Sequence, residues 1–94
     1  MYRVLIVDDE LPALRFVQSI IEKFSLDFQI AGTCTSGEAA IEFLQKEPVD
    51  LVITDISMHG ITGIKLAKHI RATQPAIHTL IISGYPMKLS STVV

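Results

Sequence analysis

The chain has 94 residues, 49% of them hydrophobic and 19% charged, with a formal net charge of −2. That gives room for one domain with its own core and argues against disorder, and a nucleic-acid binder would usually be basic, so this segment alone is not expected to be one. No apolar run approaches the roughly 18 residues of a membrane span, the run after Met1-Tyr2-Arg3 is too short for a signal peptide, and the single cysteine, Cys34, excludes an internal disulfide and fits a reducing cytosol.

Tyr2 to Val7 reads as a first strand, because Val4, Leu5, Ile6 and Val7 are apolar and mostly β-prone. It runs into three acids, Asp8-Asp9-Glu10. Leu11, Leu14, Val17, Ile21 and Phe24 then fall at helical spacing. Pro12 is tolerated only in a first helical turn, which predicts a start near Asp9 or Glu10. Phe28 to Gly32 is a weaker strand, expected nearer an edge. Thr35-x-x-Glu38 fits a capping box for a short helix carrying Ala39, Ala40, Ile41, Phe43 and Leu44.

Leu51-Val52-Ile53-Thr54-Asp55 is the stretch around which the rest is arranged. A continuous apolar run bounded by Pro48, Gly60 and Gly63 suits a strand buried on both faces of a parallel sheet. Thr62 or Gly63 opens a third helix with Ile64, Ala67 and Ile70 on one face. Lys65, Lys68, His69 and Arg71 are mostly on the other, as a solvated face, and Pro75 closes it. His78 to Ile82 is a fourth strand and Ser83-Gly84-Tyr85-Pro86 a turn. Ser91 to Val94 could be strand-like or frayed. The order βαβαβαβ implies a parallel sheet with right-handed crossovers.

Three strands end in functional groups: the first in Asp8 and Asp9, the third in Asp55, the fourth in Ser83. In a parallel sheet these ends share one rim, where ligands of open α/β sheets bind. Taken singly, Asp and Ser after a strand are turn formers or helix caps. Taken together they read as a site. Close carboxylates repel, so they need a cation or raised pKa values. Mg²⁺ prefers oxygen ligands and commonly joins one or two carboxylates to a phosphate. A carboxylate can also attack phosphorus, giving an aspartyl phosphate.

The stretches Val4-Leu5-Ile6-Val7-Asp8-Asp9-Glu10, Leu51 to Met58 followed by Gly63, and Ile81-Ile82-Ser83-Gly84-Tyr85 together resemble a response-regulator receiver domain of two-component signalling. The likeness runs from about residue 2 to residue 85. It implies a flavodoxin-like, doubly wound parallel sheet of strand order 2-1-3-4. It implies a signalling module, not a turnover enzyme, with Asp55 as phosphoacceptor. Asp8, Asp9, Asp55 and the backbone carbonyl of Ser57 would hold Mg²⁺, and Ser83 would be the hydroxyl that follows the phosphoryl group. The donor would be a sensor histidine kinase in the cytoplasm. Phosphorylation would shift the loops and helix after the fourth strand between two states. Ile82 to Tyr85 resembles receivers joined to helix-turn-helix transcription regulators, so DNA would be reached through an output domain.

The resemblance also implies a fourth helix, a fifth strand ending in a lysine, and a fifth helix. Nothing after Tyr85 reads as that region, and Lys88 is too close to Ser83 to be that lysine. The expectation is a truncated or interrupted receiver over 1–85 with an irregular tail over 86–94, lacking the fifth strand. A degenerate receiver that acts as an unphosphorylated interaction module is the second reading. A haloacid-dehalogenase-like phosphatase is a third, but its motif wants an Asp where this chain has Ser57. His59 stands where the family usually has proline, which should loosen the loop after Asp55. His59, His69 and His78 lack metal-site spacing. With the fourth strand left as an edge, a homodimer covering it is expected. A clean monomer in sedimentation at high protein concentration would reject that pairing.

Overall fold

The four apolar residues Val4 to Val7 alternate between two cores, and the sheet is built on that alternation. A computed structural model describes residues 1–24, 27–83 and 90–93, with Ser83 and 90–93 described by backbone alone. The elements in chain order are β1 (Tyr2–Val7), α1 (Leu11–Phe24), β2 (Phe28–Cys34), α2 (Gly37–Lys46), β3 (Leu51–Asp55), α3 (Gly63–Thr73), β4 (His78–Ser83) and β5 (Ser90–Val93). Leu5 and Val7 point to one face and pack with Val52, Leu66 and Ile70. Val4 and Ile6 point to the other and pack with Leu14 and Ile53. Successive strand side chains face opposite ways, so a strand covered on both faces must be apolar throughout.

The sheet order is β2-β1-β3-β4-β5. Its first four strands are parallel, in the expected order 2-1-3-4. Val4 to Val7 stand opposite Leu51 to Thr54, and Asp55 stands opposite Ile82. This register brings the ends of β1, β3 and β4 to one rim. The weak second strand is an edge, as its composition suggested, and it extends to Cys34. Its pairing with β1 slips between Val4 and Leu5. Just past the slip, Gly32 lies against the Phe43 ring, where a Cβ would come within 2.7 Å of it.

Several local expectations are corrected. The cap of α2 is Ser36, not Thr35: its hydroxyl accepts from the Ala39 N–H at 3.0 Å. Glu38 lies instead against Gly60, whose φ of 77° favours glycine. Leu11, Phe24 and Ile64 fit the apolar helical spacing yet are exposed. The buried face of α3 is Gly63, Leu66, Ala67 and Ile70. Cys34 is buried, and burial pushes its thiol pKa up, as suits a small apolar filler.

The largest correction lies at the C-terminal side. The sequence gives 86–94 as an irregular tail, with Ser91 to Val94 strand-like or frayed and the family's parallel fifth strand lacking. Ser90–Val93 instead form β5, antiparallel to β4, with Leu80 opposite Val93 and Ser83 opposite Ser90. The connection is too short for a parallel crossover, which takes a dozen or more residues, so only a hairpin closes it. β4 is therefore no edge, and the ground for pairing two chains along it falls away. Of the expected turn at Ser83 to Pro86, Ser83 still belongs to β4; Gly84 to Pro86, the switching segment after β4, and Lys88 lie outside the described residues. No helix among the described residues is long and apolar enough to cross a membrane.

Leu66 is fully buried between α3 and the sheet. Leu66→Ala is expected to cost about 2–5 kcal/mol, read as a lowered midpoint in denaturant with an unchanged slope.

Candidate functional site

β1 ends where its apolar alternation runs out, and Asp8 continues the pairing by one residue. Its N–H donates to the Cys34 carbonyl at 3.0 Å. Asp8 is only 4% exposed, and its Oδ1 accepts from the Glu10 N–H at 2.9 Å, which turns the chain toward α1. Asp55 ends β3 on the neighbouring strand and is half-buried. The backbone beyond it is held on both sides. The Ile56 N–H donates to the Ile82 carbonyl at 2.9 Å, and the Gly63 N–H to the Ile56 carbonyl at 3.0 Å. The buried Thr54 hydroxyl donates to the Asp55 carbonyl at 3.0 Å. A Cβ at Gly63 would fall on that same carbonyl oxygen, so only glycine lets α3 start this close to Asp55.

Asp8, Asp9 and Asp55 each offer a carboxylate oxygen, and these oxygens lie within 4.8 Å of one another. Two oxygens sharing an octahedral Mg²⁺ stand about 3–4 Å apart, so the spread fits a hard cation with little closure. The acids show what such crowding costs. Burial, then the charges of Asp55, Asp9 and Glu10, push Asp8 up to about 6 against the Glu10 hydrogen bond. Burial, with the charges of Asp9 and Glu10, raises Asp55 against the N–H groups of Ile56 and Ser57. Asp9 goes the other way, because the backbone N–H and side chain of His59 hold it below the usual carboxylate range. Among the described residues this is the single cluster of metal-capable side chains, and no histidine belongs to it.

Of the residues singled out in the sequence, Asp8, Asp9 and Asp55 converge. Ser57 lines an open depression beside them with Asp9, Glu10, Met58, His59 and Thr62. Ser83 follows directly on Ile82, the partner of Asp55, but only its backbone is described. His59, expected to loosen its loop in place of a proline, instead adds contacts to the acidic rim. Its N–H donates to Asp9 Oδ2 at 3.1 Å, and its Nδ1 lies 3.0 Å from the same oxygen. A proline could make neither bond. Sequence reading missed this tie, since 50 residues separate the partners. It also missed the roles of Thr54 and Gly63 against the Asp55 carbonyl.

A carboxyl whose folded-state pKa exceeds its unfolded value contributes stability below the unfolded pKa, lost as pH rises through the folded one. For Asp8 that window runs from 3.8 to about 6, and Asp55 acts in the same direction. Asp9 contributes the opposite way, losing stability as pH falls through its lowered value. In chelator the protein is therefore expected to lose about 2 kcal/mol between about pH 4 and about pH 7. Asp8→Asn should flatten most of that slope, and saturating Mg²⁺ should do the same for the unaltered chain. Denaturant titrations across the pH range measure both.

The comparisons with known proteins agree with this geometry. The family model described as the response regulator receiver domain matches residues 4–92. The chain is 34% identical over 85 residues to the uncharacterized transcriptional regulatory protein YesN of Bacillus subtilis, covering 90% of this chain and 23% of that one. It is 39% identical over 71 residues to the heme response regulator HssR of Staphylococcus epidermidis, covering 76% of this chain and 30% of that one. The chain thus spans less than a third of the length of these relatives. The RcsB response regulator of Salmonella typhimurium superposes with a TM-score of 0.79 at 27% identity, over 87% of this chain and 42% of that one. With the parallel strands in the order 2-1-3-4, the acids on one rim and a family match along nearly the whole length, the chain belongs to the response-regulator receiver family.

Proposed function

We propose that the chain is the phosphoryl-accepting receiver of a two-component response regulator, with Asp55 as acceptor and a sensor histidine kinase as donor. The observation that carries this reading is the convergence of Asp8, Asp9 and Asp55 at the end of a buried sheet, with Asp55 partly open to solvent. Asp8, Asp9, Asp55 and the backbone carbonyl of Ser57 would hold Mg²⁺. Bound there, the ion supplies counter-charge for the acids and for the incoming phosphoryl oxygens. An Asp55 carboxylate oxygen would bond to phosphorus as the bond to the kinase histidine nitrogen breaks, the electron pair leaving with nitrogen. The hydrogen bonds that fix Ile56 and Gly63 would keep Asp55 aimed at the rim. The Ser83 hydroxyl would donate to a phosphoryl oxygen.

The relatives are transcriptional regulatory proteins and response regulators of which this chain covers a minor part. Contact with DNA would accordingly belong to an output domain and not to this segment, and the signalling would take place in the cytoplasm. A homodimer, if formed by strand pairing, would run along β2 or β5, the two strands at the edges of the sheet.

One observation favours a second reading, an interaction module that is not phosphorylated. Antiparallel β5 occupies the place beside β4 where the resemblance implies a parallel strand ending in lysine.

Incubation with a small acyl phosphate and Mg²⁺, followed by intact-mass measurement, separates the two. Gain of one phosphoryl group, lost in Asp55→Asn, is the expected result. No adduct with Mg²⁺ still bound would favour the interaction module. Continuous phosphate release over many turnovers would overturn both and point to a phosphatase.

A further inference from the structure

His59 stands at the mouth of the acidic cluster, and its two donors go to one atom. Its backbone N–H reaches Asp9 Oδ2 at 3.1 Å, and its Nδ1 lies 3.0 Å from that oxygen. A carboxylate oxygen carries no proton, so Nδ1 must present the hydrogen. The imidazole is fully exposed while Asp9 is 19% exposed. Packing therefore does not hold the ring in place, and the carboxylate is its one protein partner among the described residues. The contact ties the loop after β3 to the end of β1. Two donors from one residue on a single oxygen also restrict how the carboxylate can rotate. Asp9 still offers an oxygen within 4.8 Å of those of Asp8 and Asp55 while both bonds are made.

We infer that His59 is a positioning residue for Asp9, holding its carboxylate in the orientation that a divalent cation at the rim requires. This rests on reading Asp8, Asp9 and Asp55 as a Mg²⁺ site. Ligating carboxylates are themselves hydrogen-bonded as a rule, and loss of such an outer partner typically weakens metal binding about 10–100-fold. An exposed partner belongs at the lower end of that range.

Titration calorimetry with Mg²⁺ on chelator-stripped protein tests this. His59→Ala keeps the backbone donor and should weaken binding about 10-fold. His59→Pro deletes both donors and should weaken it further. His59→Asn carries an amide N–H in the place of Nδ1 and should restore most of the affinity. A merely structural tie would lower the melting temperature of His59→Ala in chelator and leave its Mg²⁺ affinity unchanged. That result, or tighter binding by His59→Ala, overturns the inference while leaving the cation site intact. Absence of Mg²⁺ binding by the unaltered chain overturns the site and the inference together.

Discussion

Asp8 and Asp55 stand at the ends of neighbouring parallel strands, in a place dry enough that both resist ionising, Asp8 beside the charge of Asp55 and Asp55 beside those of Asp9 and Glu10. Burial is the larger part of that resistance, and it is a direct product of the fold. β1 and β3 carry apolar side chains toward both faces because both faces are covered, and Asp8 just past β1 is buried while Asp55 at the end of β3 is half-buried. The sheet that stabilises the domain therefore also creates an electrostatic debt at its rim. Asp9 is the exception, and the reason is local: two donors from His59 satisfy one of its oxygens. Two of the three acids are thus disfavoured as anions at the rim and the third is favoured, which a single average view of an acidic pocket would miss.

Most of the architecture was readable from the sequence because it rests on short-range signals. The unbroken apolar runs at Val4–Val7 and Leu51–Ile53, with helical spacing between strands, are enough to give a parallel sheet and its four-strand order once the resemblance is included. The acids could be placed because strand ends in a parallel sheet share one side. What could not be read depends on contacts distant in sequence. Nothing in the spacing of Leu11 or Ile64 shows that their side of the helix is left uncovered, and Leu66 was overlooked in favour of Ile64. The bond from His59 to Asp9 has no sequence signature. As punctuation Gly63 carries no hint of the Asp55 carbonyl, which leaves no room for a Cβ at that position.

The tail was left between strand and frayed end for a different reason. Ser90–Val93 carries weak strand character, and the resemblance implied that any fifth strand would arrive by way of a helix. A short connection allows the chain to pair at once with the strand it has just left. Local chain closure outweighed the expectation drawn from relatives, and the sheet ends mixed, four strands one way and one the other.

That mixed edge has a consequence for how the molecule opens. β5 has a single neighbour, and its connection to β4 closes a small loop, so its pairing costs little chain entropy to form and little enthalpy to undo. β1, by contrast, is clasped by β2 and β3 and covered above and below. Peeling β5 back would uncover the β4 backbone from Leu80 to Ser83 and leave the acids of β1 undisturbed. The backbone amides of β4 and β5 should then exchange with deuterium well before those of Val4 to Val7, marking off an outer layer that breathes separately from the sheet's centre.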